Sequence, residues 1–317
     1  MDKNFSISEK IRSKAGELGF HKCAILPVAR LSEEESHFQQ WLEMGYHGEM
    51  SYMERNTELR LDPAKLFDNA KSIILVLLNY FPSKTQTDPD APVLSKYAYG
   101  IDYHFVLKDK LKELLEFIQR EITPCTGRVF TDSAPVLERA WAKKAGFGWI
   151  GKNSNLITTD QGSFFFIGEL LVDAELPYDN PRIVADHCGK CTRCIDACPT
   201  KAIVADKVVD ARLCISYQTI ELKGDLDKNL KGRFENRVFG CDICQDVCPW
   251  NLKSVPHDIP EFTPHEKMLT MTGNDWFEMD QPTFTALFRK SAVKRTGFAG
   301  MRRNLEFIQT HGNEQGV

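Results

Sequence analysis

Eight of the ten cysteines fall between Cys188 and Cys248, and their spacing leaves few folds open. Cys188, Cys191, Cys194 and Cys198 read C-x2-C-x2-C-x3-C-P, closed by Pro199. Cys241, Cys244 and Cys248 read C-x2-C-x3-C-P, closed by Pro249, with Cys214 upstream as the displaced fourth member. A [4Fe-4S] cluster takes four thiolates, so these eight supply two clusters with none left over. In two-cluster ferredoxins the last cysteine of each run ligates the other cluster. That crossing assigns Cys188, Cys191, Cys194 and Cys248 to one cluster, and Cys198, Cys214, Cys241 and Cys244 to the second. Zinc knuckles and disulfides are the alternatives, but zinc sites usually pair C-x2-C units across a longer gap. A ferredoxin-like, electron-carrying segment is expected.

At 317 residues the chain is too long to be only a ferredoxin. The Lys71–Tyr80 run (KSIILVLLNY) reads as a strand buried on both faces. Lys22–Val28, Arg128–Thr131 and Gly162–Val172 read as further strands. Helices are expected over Ile7–Leu18, ended by Gly19, over Leu107–Ile118, and from Ser133 or Pro135 to Ala145. This alternation predicts an α/β (α+β) front domain with a central sheet. The proline-bearing stretch Leu176–Ile183 reads as a linker. The expected division is a front domain over 1–177, the two-cluster domain over 178–255 and a short helical tail over 256–317. Phe284, Leu287, Phe288, Leu305 and Ile308 are its expected core.

With 42% hydrophobic and 26% charged residues, the composition is that of a globular protein. No apolar run reaches the ~18 residues of a membrane span, and the polar opening after Met1 has no export signal. Reduced cysteines agree with a cytoplasmic address. Cys23 and Cys125 read as small buried hydrophobes. The net charge of −4 announces no nucleic-acid binder. Basic residues nevertheless gather in two places, Lys223–Arg237 and Arg289–Arg303, where they read as solvated faces or as phosphate contacts. Neither G-x-G-x-x-G nor G-x4-G-K-[ST] is met, and the glycines around Trp149 have the wrong spacing for either. Asp102-Tyr103-His104 begins like the D-x-H-x-x-G signature of proteins that offer cobalamin a histidine, but Leu107 replaces the glycine.

Several segments carry a family resemblance: WLEMGYHGEMSYMERN (Trp41–Asn56), TDSAPVLERAWAKKAGFGWIGKN (Thr131–Asn153), HCGKCTRCIDACPTKAI (His187–Ile203), ARLCISYQTIE (Ala211–Glu221) and FGCDICQDVCPWN (Phe239–Asn251). In this order they resemble the epoxyqueuosine reductases, over roughly residues 5–255. The resemblance implies a cobalamin-binding domain fused to a two-[4Fe-4S] domain, a reductive-dehalogenase-like architecture. It implies a reaction in which epoxyqueuosine in tRNA is reduced to queuosine, with cobalamin held without a protein axial ligand. It further implies an unidentified low-potential electron donor, no membrane partner and a monomer. Asp132 matches the family's proton donor, although Asp before a helix is also a common N-cap and both roles can coexist. Burial that raises its pKa toward neutrality would suit a donor. Arg60, Ile157, Ser216, Cys241 and Asp242 match positions around the corrinoid. Lys152 and Asn153 are read either as contacts to the corrinoid tail or as a structural turn. Many family members continue into HEAT-type repeats, of which the tail resembles only the start. Two other readings remain: a small-molecule reductase of the dehalogenase kind, and an electron carrier without chemistry of its own.

Overall fold

Ile73 to Leu78 are all 0% exposed, because the strand Ser72–Asn79 runs through a four-stranded sheet covered on both faces. The structure, a computed structural model, describes residues 6–309. The first five residues of the expected front domain and the last eight of the expected tail lie outside the described residues. Across the sheet the order is Lys22–Pro27, Ser72–Asn79, Phe165–Val172, Gly127–Phe130, and every pair is antiparallel. The alternation of strands and helices therefore resolves as α+β.

Side chains alternate between the faces of a strand, and each face has its own helices. Ile74, Val76 and Leu78 join Leu170 and Val172 beneath Ile7–Glu17 and Tyr103–Phe117, which contribute Ile11, Ala15, Leu107, Leu111 and Leu114. Ile73, Leu75 and Leu77 join Ile167 and Leu171 beneath Glu138–Lys144, which contributes Trp141 and Ala142. Burying a large aliphatic side chain is worth about 1.5–3 kcal/mol, so the even and odd residues of this strand each fix a helical layer. The first helix is held at its start by Ser6 and Glu9. The Glu9 carboxylate accepts the Ser6 N–H at 2.7 Å, and the Ser6 hydroxyl accepts the Glu9 N–H. Gly19, at φ +88°, ends it as expected.

One boundary differs from expectation. The helix after Asp132 starts at Glu138, with Leu137 as its N-cap and no side-chain cap bond. Pro135 disfavours helical geometry at Ala134, and Asp132 itself is left-handed at φ +53°. Asp132 is therefore not the N-cap of this helix.

The cysteine region consists mostly of turns around three short helices, Arg193–Ala197, Ile215–Ile220 and Ile243–Asp246, of which the first and last pack together. In the tail, Gln281–Phe288 and Gly297–Ile308 bury Phe284, Phe288 and Leu305 with Trp276, and Leu287 and Ile308 pack partly buried against them. This core also takes Leu94 and Tyr99 from the front of the chain and Val238 and Phe239 from the cysteine region. Val93–Leu94 pairs in parallel with Arg237–Phe239, so all three segments share one hydrophobic interior.

A second tie is polar. Asn251 accepts the Ser163 N–H at 2.7 Å and donates to the Gln245 carbonyl at 2.7 Å, inside the protein. Gly162 makes room for it: φ is +75°, and a Cβ there would lie 1.9 Å from Asn251 Oδ1. Gly162→Ala should therefore loosen the joint between the sheet and the second cysteine run. We expect the thermal midpoint of the anaerobic protein to fall by more than about 5 °C, measured by circular dichroism.

Candidate functional site

All ten cysteines are free thiols. Eight of them lie close enough to influence one another's ionisation, across the two runs. Burial raises the Cys194 thiol above its ordinary value, and Cys188 and Cys248 beside it push the same way. Burial likewise raises Cys248, with Cys188 and Cys191 as neighbours. Burial also raises Cys214, with Cys198 close by. Burial pushes Cys241 up to about 12, with Cys214 adding to it. Cys244 stands well above its ordinary value through burial and its neighbours Cys214 and Cys241. The neighbours of these thiols thus come from both runs.

Donors surround these sulfurs. Trp149 Nε1 donates to Cys188 Sγ at 3.4 Å, and the Ala202 N–H donates to Cys198 Sγ at 3.3 Å. Trp149 is 2% exposed and meets Trp250 edge to face at 4.9 Å, a hydrophobic wall beside Cys188. The glycines around Trp149 have a packing role. A Cβ on Gly148 would sit 1.9 Å from the Ile157 carbonyl oxygen, so the Trp149–Ile157 hairpin closes only with glycine there.

The second concentration of chemistry surrounds Asp132. Its carboxylate accepts from Tyr103 Oη at 2.5 Å and lies 3.4 Å from His104 Nε2. Asp102 holds the other ring nitrogen of His104 at 2.7 Å. Burial alone would lower the His104 pKa, but the two carboxylates outweigh it and raise it to about 9. Burial pushes Asp132 up, yet His104 and Tyr103 outweigh that, and Asp132 ends below the ordinary carboxylate value. His104 and Tyr103 thus favour the charged form of Asp132, as the two carboxylates favour the charged form of His104. Both nitrogens of His104 are engaged, which explains why the Asp102-Tyr103-His104 sequence only begins like a cobalt-ligand motif.

Arg60 lies within electrostatic reach of Asp132. It is a buried residue of the Thr57–Leu61 helix rather than part of a surface loop. Nη2 donates to the Tyr52 carbonyl at 2.9 Å, while Nε is buried without a partner. Tyr52, Glu221 and Arg295 continue the rim, with Arg295 Nη2 on Glu221 at 2.8 Å and Tyr52 Oη 3.4 Å from the same carboxylate oxygen. The front domain, the cysteine region and the tail thus converge around Asp132.

Residues 187–251 match the 4Fe-4S double cluster binding domain, and residues 60–133 match the family described as Epoxyqueuosine reductase QueG, DUF1730. An epoxyqueuosine reductase from Cellulophaga algicola is 53% identical over 302 residues, covering 95% of this chain and 98% of that one. The chain belongs to the epoxyqueuosine reductase family. Its activity is that of an epoxyqueuosine reductase, an oxidoreductase. Among solved structures, an epoxyqueuosine reductase with an epoxyqueuosine-modified tRNA-Tyr stem loop superposes with a TM-score of 0.87 at 28% identity, covering 95% of this chain and 80% of that one. The Bacillus subtilis epoxyqueuosine reductase, seen with its catalytic aspartate loop swung out of the active site, superposes with a TM-score of 0.85 at 27% identity. That match covers 95% of this chain and 80% of the other.

The remaining residues expected at an epoxyqueuosine reductase site are placed as follows. Ser216 is half-buried in the helix that begins at Cys214, whose thiol faces the N–H groups of Ser216 and Tyr217. Asp242 is buried, accepts from the Ser95 hydroxyl and takes the Lys96 N–H at 2.7 Å, so its carboxylate ties the second cysteine run to the front of the chain. Ile157 is buried in the hairpin, with its side chain against Gly151. Lys152 pairs with Asp206 at 3.2 Å and Asn153 donates to the Cys244 carbonyl at 3.2 Å, as in a structural turn. Sequence reasoning missed Tyr103 and the acids Glu138 and Glu169. Glu169 was visible as the lone charge in FFFIGELLV.

The His104 pair has a measurable consequence. Its pKa is raised, so the ion pair is complete below the ordinary histidine value and is lost as pH rises through about 9. In ring-proton NMR, His104 should titrate near that value, and Asp102→Asn should bring it down toward 6.5.

Proposed function

We propose that the chain reduces the epoxide of epoxyqueuosine carried in tRNA to queuosine, with Asp132 delivering the proton that lets the oxygen depart as water. The observation that carries this reading is the Tyr103–Asp132–His104 arrangement at the meeting point of three segments. The reaction consumes two electrons and two protons. The Asp132 carboxylate relays both protons from the His104 imidazolium, 3.4 Å away, to the leaving oxygen, and His104 is reprotonated from solvent. Tyr103, whose phenol stays protonated because burial and Asp132 oppose its ionisation, fixes the direction of the carboxylate. The Asp132 loop is movable in this reading, as in the Bacillus subtilis relative.

Two observations fit cobalamin in the recess. Arg60 Nε is a buried donor with no protein partner, suited to an amide or phosphate oxygen of a corrinoid. His104 is engaged on both nitrogens by Asp102 and Asp132, so its ring would leave the corrinoid to be held by other residues. Arg60, Ser216, Ile157, Cys241 and Asp242 would hold it, with Asp242 acting by positioning the backbone around Cys241. When bound, cobalamin supplies a low-potential centre able to cleave the carbon–oxygen bond. The thiols of Cys188, Cys191, Cys194 and Cys248 would hold one [4Fe-4S] cluster, and those of Cys198, Cys214, Cys241 and Cys244 the other. Together they relay single electrons from a low-potential donor. In this division residues 1–177 carry the chemistry, 178–255 the electrons, and 256–317 complete the rim. A monomer in the cytoplasm is the proposed setting. No helix among the described residues is long and apolar enough to cross a membrane.

The basic residues divide into two kinds. Arg303 donates to the carbonyls of Leu222, Gly224 and Gln218, which staples the last helix to the loop that opens the other basic group. Lys228, Lys231, Arg233, Arg289, Lys290 and Lys294 are exposed and make no ion pair among the described residues. They form the proposed phosphate-binding face, placing the anticodon arm while the modified base enters the recess.

Two outcomes test the proposal. Asp132→Asn should lower turnover at least about 100-fold with iron content unchanged, assayed as loss of one oxygen from the tRNA nucleoside by mass spectrometry. Turnover near wild type would remove Asp132 from the mechanism. In filter binding, tRNA affinity should fall by about a thousandfold between low and moderate salt. Affinity that is flat with salt would rule out phosphate contacts as its main source.

A further inference from the structure

Glu169 sits in the middle of the central sheet at 0% exposure, paired in register with Leu75 on one side and Phe130 on the other. Neither of its carboxyl oxygens meets an N–H or hydroxyl donor. Its polar neighbour is a second acid, Glu138, at the start of the helix covering that face. Two carboxylates in contact, one half-buried and one fully buried, cannot both be charged without a penalty. The contact is satisfied when one carries a proton and donates it to the other. Glu138 has a further partner: its carboxyl accepts the backbone N–H of Asp132.

We propose that Glu138 is a positioning residue for the catalytic loop, holding Asp132 in the recess through the Asp132 backbone N–H while Glu169 shares a proton with it from behind. This rests on Asp132 as proton donor. Asp132 is left-handed, a conformation that an L-residue keeps only when its surroundings enforce it. On one side of it Thr131 donates to the Ile167 carbonyl of the central strand at 2.9 Å. At Asp132 itself the latch is Glu138. The chain of contacts from Glu169 through Glu138 to Asp132 therefore references the reactive carboxylate to an inner strand of the sheet, paired on both sides.

The shared proton gives the latch a pH limit. Burial and the Asp132 charge raise Glu138 to about 8, and burial with Glu138 beside it raises Glu169 well above its ordinary value. The charged groups facing the pair are Asp132, His104 and Arg139. Loss of the shared proton at alkaline pH sets two like charges together and releases the loop.

Amide hydrogen exchange on the intact protein reads the latch without reference to turnover. In Glu138→Ala, exchange at Asp132 should accelerate at least about tenfold, whereas Glu138→Gln, whose carbonyl still accepts, should stay near wild type. In the tRNA assay Glu138→Ala should lower kcat about 100-fold with KM unchanged, and Glu138→Gln should recover most of it. Glu169→Gln, which donates permanently to Glu138, should move the alkaline fall of kcat to higher pH. Should Glu138→Ala not fold, Glu138→Met is close in volume and equally unable to accept. Unchanged Asp132 exchange in the folded Ala or Met variant would overturn the latch, as would equal losses in the Ala and Gln variants. An active Asp132→Asn enzyme would instead remove the donor role, leaving the exchange result to decide the latch alone.

Discussion

Two runs of cysteines, separated by more than forty residues, complete each other's thiol groups, and the rest of the molecule is arranged around that crossing. Cys248 from the second run stands with Cys188 and Cys191, and Cys214 stands between Cys198 and the pair Cys241 and Cys244. Neither run can shift without breaking both groups. The front sheet is attached to this unit by buried polar contacts. Asn251 reaches Ser163, Asp242 reaches Ser95, and Trp149 reaches Cys188. Electron carrier and catalytic recess are therefore held in one fixed relation.

The surroundings of Asp132 depend on that relation because no single segment builds them. Asp132, Tyr103 and His104 come from the front, Glu221 from the cysteine region and Arg295 from the tail. Their charges are arranged to keep a proton close to the reacting position. His104 is held protonated by two carboxylates, and Tyr103 donates without ionising. Behind them lie two further acids, half-buried Glu138 and buried Glu169, whose pKa values burial raises. Reduction of an epoxide to an alkene and water consumes as many protons as electrons, so both supplies must converge on one place.

Where a physical requirement is local, the sequence states it openly. The cysteine spacing expresses a ligand count, and residues 187–251 match a 4Fe-4S double cluster binding domain. The apolar run Lys71–Tyr80 could only be a strand covered on both faces, and Ile73 to Leu78 are fully buried. Periodicity located the helix along Leu107, Leu111 and Leu114 for the same reason. Relations between distant segments were not legible in this way. The start of the helix at Glu138 depends on the left-handed turn at Asp132, which the side chains of Tyr103 and Glu138 stabilise. The ionised state of Asp132 depends on His104, whose motif looked like a failed cobalt ligand. Arg303 looked like part of a basic face, yet it is used on three carbonyls. Glu169 was plain in FFFIGELLV, but its meaning needed the partner acid from another helix.

The central claim is the crossing itself, and serine substitutions read by electron paramagnetic resonance of the reduced protein test it most directly. Cys248→Ser should perturb the same cluster signal as Cys188→Ser, and Cys198→Ser the same signal as Cys241→Ser, the two pairs differing from each other. If Cys248→Ser instead matches Cys241→Ser, each run serves its own cluster, and the arrangement described here is wrong.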